Sequence, residues 1–127
     1  MKNSNKTWLI TGCSRGLERA FAQETLKQVY NVIVTFRNPK DIQYIIENYP
    51  EAALGLALDV ANKEQVKSVV KQGEEKFGST DVLVNNAGYG YRSAVEEEDE
   101  NQVNALFNTN FFGTVNTIKA VLPTMRK

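Results

Sequence analysis

Short β-branched runs alternate along this chain with apolar stripes at helical spacing, and the alternation repeats to the last residues. Thr7-Trp8-Leu9-Ile10-Thr11 reads as a buried strand, after which Leu17, Ala20, Phe21 and Leu26 mark one face of a helix. Asn31-Val32-Ile33-Val34-Thr35-Phe36 is a second strand. Ile42, Ile45, Ile46 and Tyr49 follow at i, i+3, i+4 and i+7, with Pro39 suited to a first turn. Leu54 to Leu58 is a third strand, weakened by Gly55 and Ala57; Val66, Val69, Val70 and Phe77 mark a third helix. Val82-Leu83-Val84 is a fourth strand, and the closing helix keeps Val103, Leu106, Phe107, Phe111, Ile118, Val121 and Leu122 on one apolar face. Such alternation predicts an α/β domain with a parallel sheet. The strands are apolar on both faces, as helices covering both sides require. Right-handed crossovers then predict the strand order 3-2-1-4.

Composition narrows the function. The 127 residues, 42% of them hydrophobic, suffice for one core. Fifteen basic residues balance fifteen acidic ones, without the basic excess of a nucleic-acid binder. The absence of histidine removes the commonest general base and metal ligand. A single cysteine, Cys13, forms no internal disulfide and points to a reducing compartment; its place near a helix start is read as small filler in a turn. Ile10-Thr11-Gly12-Cys13 mimics a lipoprotein cleavage box, but Trp8-Leu9-Ile10 is far shorter than the ~7–15 apolar residues of a signal core. No run approaches the ~18 apolar residues of a membrane span. The expectation is a cytoplasmic protein with neither membrane nor nucleic-acid partner. Glu96-Glu97-Glu98-Asp99-Glu100 reads as a solvated helix start, not a metal site.

The chemistry gathers at strand ends. Thr11-Gly12-Cys13-Ser14-Arg15-Gly16-Leu17 joins the first strand to the first helix, where glycine admits a ligand and free N–H groups favour phosphate. A tight turn without a ligand is the alternative. An NAD site of this kind ends its second strand on a carboxylate. Here that strand ends Thr35-Phe36-Arg37-Asn38. Arg37 and Arg15 are suited to clamp a 2′-phosphate, which favours NADP(H) over NAD(H); solvated surface arginines are the competing reading. Asn85-Asn86-Ala87-Gly88 closes the fourth strand, where ligands bind in open α/β sheets. Asn110 falls on the apolar stripe between Phe107 and Phe111, where a buried amide requires hydrogen bonds.

Taken together, these motifs resemble the short-chain dehydrogenases/reductases. Thr11-Gly12-Cys13-Ser14-Arg15-Gly16 is similar to that family's TGxxxGxG cofactor turn. Asp59-Val60 matches its adenine-contacting position, Asn85-Asn86-Ala87-Gly88 its NNAG motif, and Asn110 the helix asparagine of its catalytic tetrad. The resemblance spans essentially the whole chain and implies a Rossmann-like doubly wound sheet. It implies a cofactor held by Thr11, Gly12, Ser14, Arg15, Gly16, Leu17, Arg37, Asp59, Val60, Asn86, Ala87 and Gly88. It gives Asn110 a catalytic part, holding a water that links to a lysine. The implied activity is hydride transfer between a nicotinamide and a small carbonyl or alcohol substrate.

Two departures stand out. Glu18 replaces the third glycine of the turn, and would repel a pyrophosphate if it pointed inward. No tyrosine has lysine at i+4: the positions hold Val34, Asn48, Ala53, Ser93 and Val95. The serine and Tyr-x-x-x-Lys of the family are therefore absent from these 127 residues. Residues 1–127 are expected to be a partial cofactor-binding domain that stops before the fifth strand and is inactive alone. A non-catalytic nucleotide-binding module, or a truncated remnant, is the alternative. Val82-Leu83-Val84 would then be an uncovered edge, prone to homo-oligomer formation or other association. Tyr89, Tyr91 and Arg92 are at most the rim of a substrate pocket.

Overall fold

The computed structural model describes residues 5–12, 16–37 and 42–126. Pro39, Cys13, Ser14 and Arg15 lie outside them. The elements run β1 (Thr7–Ile10), α1 (Gly16–Lys27), β2 (Asn31–Phe36), α2 (Gln43–Asn48), β3 (Ala53–Ala57), α3 (Lys63–Phe77) and β4 (Val82–Val84). A 3₁₀ turn (Val95–Glu97), α4 (Glu100–Phe107), a π-helical turn (Asn108–Gly113) and α5 (Thr114–Met125) complete the order. The four strands are parallel and lie in the order β3-β2-β1-β4, as the crossover argument predicts.

Alternation along the strands splits the core between two faces. Ile10, Val32 and Val34 pack against Ala22 and Leu26 of α1 and against Ile42 and Ile45 beside and within α2. On the other face Leu9 and Ile33 meet Val66, Val69, Val70 and Phe77 of α3 and Val121 of α5. All six residues of β2 are buried, the polar Asn31 and Thr35 among them. Helix α3 matches its predicted stripe. The Asn62 side chain accepts from the amides of Glu64 and Gln65 at its start, and Gly78 closes it at φ 94°.

Two helix faces differ from the sequence reading. Among the described α1 side chains, which do not include that of Leu17, those of Ala22, Thr25 and Leu26 are buried, whereas Ala20 and Phe21 face outward. Thr25 belongs to the core because its hydroxyl bonds the Phe21 carbonyl at 2.8 Å, so no polar atom is stranded. Phe21 instead covers the Trp8 ring, 5.8 Å away between centroids.

The closing helix is also not one continuous stripe. Its buried face is Thr109, Gly113, Thr117 and Val121, while Phe107, Phe111, Phe112 and Ile118 are exposed. Close approach to the sheet end explains the inversion: a Cβ at Gly113 would lie 2.4 Å from Val60 Cγ2. Only small or β-branched side chains fit there, and the large aromatics are turned away. β4 pairs with β1, and no strand among the described residues pairs with its other side.

Candidate functional site

Above the carboxyl ends of the strands lies an open cleft of ≈ 310 Å³, the place where parallel α/β sheets take ligands. One wall is Gly12 and Glu18, from the β1–α1 connection and the first turn of α1. A second is Phe36 and Arg37 at the end of β2, and a third is Leu58 and Val60 after β3. Asn86, Ala87, Gly88 and Tyr89 after β4 close it, with Thr109 of the π-helical turn beneath.

Thr11 builds the centre. It is 1% exposed, and its hydroxyl oxygen accepts from the amides of Asn86 and Ala87 at 2.9 Å each, while the hydroxyl faces the Val84 carbonyl at 3.4 Å. One side chain thus ties the end of β1 to the end of β4. Thr35 does the same for β2: its hydroxyl donates to the Ile10 carbonyl at 3.0 Å and accepts from the Gly12 amide at 3.2 Å. Gly12 itself has φ 71°, and a Cβ there would stand 3.0 Å from Ala87 Cα. Both the backbone conformation and the close approach exclude a side chain.

Asn110 stands apart from the buried position the sequence predicts, because the π-helical turn leaves it exposed. Its amide nonetheless bonds at both atoms. The side-chain oxygen accepts from the Tyr89 amide at 3.1 Å, and the side-chain nitrogen donates to the Tyr89 carbonyl at 2.7 Å. A Cβ at Gly88 would lie 3.0 Å from that side-chain oxygen, so a larger residue there would crowd the clamp. Asn110's own carbonyl accepts from the Thr114 hydroxyl at 3.1 Å. A π-turn at this point fits the tendency of such turns to mark functional positions.

The structure brings Gly12, Arg37, Val60, Asn86, Ala87 and Gly88 together around one cleft, with Thr11 supporting it. Asp59 stands at its edge, 3.9 Å from the Arg37 guanidinium, and both side chains are substantially exposed. Its carboxylate also accepts from the Ala61 amide at 3.0 Å. Gly16 and Leu17 open α1. Phe36, Leu58 and Thr109 are lining residues that the motifs do not name; as residues at or next to strand and helix ends, the first two are findable by position. Tyr91 does not line this cleft; its hydroxyl accepts from the Asp99 amide at 3.0 Å.

The residues fit a dinucleotide. Apolar Leu58 and Val60 offer a flat wall, Arg37 offers a guanidinium at the end of β2, and the Asn86 side-chain nitrogen is buried without a partner among the described residues. Glu18 is the one discordant group, and it does face the cleft. No group of three or more metal-ligating side chains occurs among the described residues, and no described helix is long and apolar enough to cross a membrane.

Comparison with known proteins agrees with this geometry. An oxidoreductase of Botryotinia fuckeliana is 42% identical over 123 residues, covering 96% of this chain and 45% of that protein. A short-chain dehydrogenase from Streptomyces avermitilis superposes with a TM-score of 0.91 at 36% identity, covering 98% of this chain and 46% of its own. A 3-ketoacyl-(acyl-carrier-protein) reductase from Brucella melitensis, complexed with NADH, superposes with a TM-score of 0.88 at 27% identity, over 94% of this chain and 50% of its own. The chain therefore spans about half the length, or less, of these relatives. The family model for short chain dehydrogenase matches residues 6–127. With the parallel order, Gly12 after β1 and the Asn86–Gly88 strand end in place, the chain belongs to the short chain dehydrogenase family of oxidoreductases.

Proposed function

We propose that the cleft binds NADP(H) in preference to NAD(H), and that the chain is the cofactor-binding part of an oxidoreductase acting on a small carbonyl or alcohol. The observation that carries the preference is Arg37, lining the cleft at the end of β2 where an NAD site places a carboxylate. A guanidinium matches the fork of a phosphate and makes no comparable bond to a bare ribose hydroxyl. Asp59 holds Arg37 only loosely at 3.9 Å, so the guanidinium is available to a phosphate. When bound, the cofactor supplies the hydride chemistry.

The protein's own residues supply position. Gly12, Gly16 and the start of α1 receive the phosphates, with Ser14, Arg15 and Leu17 of the same turn assigned to this role by the family motif. Val60 with Asp59 borders the adenine side, and Asn86, Ala87 and Gly88 form the inner wall. Asn110 clamps the backbone at Tyr89, and the water-holding role that the resemblance implies falls to the hydrogen-bonding sites this clamp leaves free. Hydride transfer requires a proton donor that these residues do not include, so residues 1–127 alone are expected to bind without turnover. A cytoplasmic location accords with the single cysteine.

Fluorescence titration tests the reading. NADPH is expected to bind the chain more tightly than NADH, and Arg37→Ala to weaken NADPH about tenfold while leaving NADH unchanged. Glu18→Gly should tighten both cofactors alike, because the pyrophosphate is common to them. Tighter binding of NADH to the wild-type chain would overturn the assignment of Arg37.

A further inference from the structure

Thr117 is 0% exposed on the sheet-facing side of α5, where the neighbouring small residues are chosen for close packing. Valine has the same shape and would fill this place without a polar atom. A buried hydroxyl is disfavoured unless it is bonded, and this one has an acceptor beyond its helix as well as one within it. It donates to the side-chain oxygen of Asn85 and lies 2.9 Å from the Thr114 carbonyl. Asn85 is the residue directly after β4, and the next three residues line the cleft.

Seen from the strand end, Asn85, Asn86 and Ala87 are held from two sides. Thr11 grips the amides of Asn86 and Ala87 from β1, and Thr117 grips the Asn85 side chain from α5. The Thr117 bond reaches this strand end from α5's buried face. We propose that Thr117 is a positioning residue for the cleft, acting through Asn85 to fix the course of the β4 end where it meets the cofactor. The proposal rests on the reading of the cleft as a nucleotide site.

The test uses Thr117→Val, Thr117→Ser, Asn85→Ala and the Thr117→Val/Asn85→Ala pair. Three quantities are read on the full chain: amide hydrogen exchange at Asn86 and Ala87 without ligand, NADPH affinity, and the urea midpoint. Thr117→Val is expected to speed exchange at both amides and to weaken NADPH, each about fivefold, the scale of one lost hydrogen bond. The midpoint should barely move, since shape is conserved and the exposed Asn85 amide is rehydrated. Serine should restore both readouts, and the double variant should be no worse than Thr117→Val alone. Unchanged exchange at Asn86 and Ala87 in Thr117→Val overturns the proposal, as do additive effects in the pair. Should that variant fail to fold, Asn85→Ala, altered at an exposed side chain, decides by the same exchange measurement. A wild-type chain that binds no NADPH sinks the nucleotide reading, while the exchange arm still decides the positioning role.

Discussion

Thr11→Val is expected to destabilise the chain by about 2–4 kcal/mol and to abolish measurable NADPH binding. The substitution keeps the volume of a side chain that is 1% exposed, so packing is not the cause. What it removes is the oxygen accepting from both Asn86 and Ala87. Two backbone donors at a strand end would lose their acceptor together, and each one stranded away from water costs about 1–3 kcal/mol. Thr11→Ser keeps the oxygen and loses one methyl, worth about 0.8 kcal/mol of burial. Urea unfolding should therefore rank wild type, serine and valine in that order, with a large step between the last two. Equal loss in both variants would mean that the methyl, not the oxygen, matters.

The second large effect lies in the core between the sheet and α3. Ile33→Ala is expected to cost about 2–5 kcal/mol, a large fraction of the roughly 5–15 kcal/mol that a domain has in total. Ile33 is 0% exposed, and its end fills the space left by Gly73 of α3, where a Cβ would lie 2.1 Å from Ile33 Cδ1. Glycine inside a helix is disfavoured by about 1 kcal/mol relative to alanine, so its place here reflects that contact. The pair should couple. Gly73→Ala should be more favourable in the Ile33→Ala background than in the wild type by at least about 1 kcal/mol. Additive urea midpoints would show that Gly73 does not make room for Ile33.

These contacts mark where sequence reasoning holds. The strand order and the α3 face are legible because β-branched runs and valine spacing each fit one period only. Faces containing threonine are not: Thr25 and Thr117 lie in the core because their hydroxyls bond within or beyond their own helix, a tertiary fact. In the closing helix the aromatic residues misdirect the periodicity. Close contact of Gly113 with Val60 selects small residues for the sheet side and leaves Phe107 and Phe111 outside.

At the site, the motifs find the cleft walls formed by Gly12, Arg37 and Asn86–Gly88. They do not reveal that Asn110's amide bonds the Tyr89 backbone, since a helical period gives no warning of a π-turn. That Glu18 lines the cleft is equally invisible beforehand. A first-turn carboxylate suits the helix dipole whichever way it points.

The central claim is that this cleft is a dinucleotide site, and amide chemical-shift mapping during an NADPH titration tests it most directly. Saturable shifts concentrated at Gly12, Arg37 and Asn86 through Gly88 are predicted, weaker with NADH and lost in Thr11→Val. Shifts that do not saturate, or that cluster away from the strand ends, would contradict it.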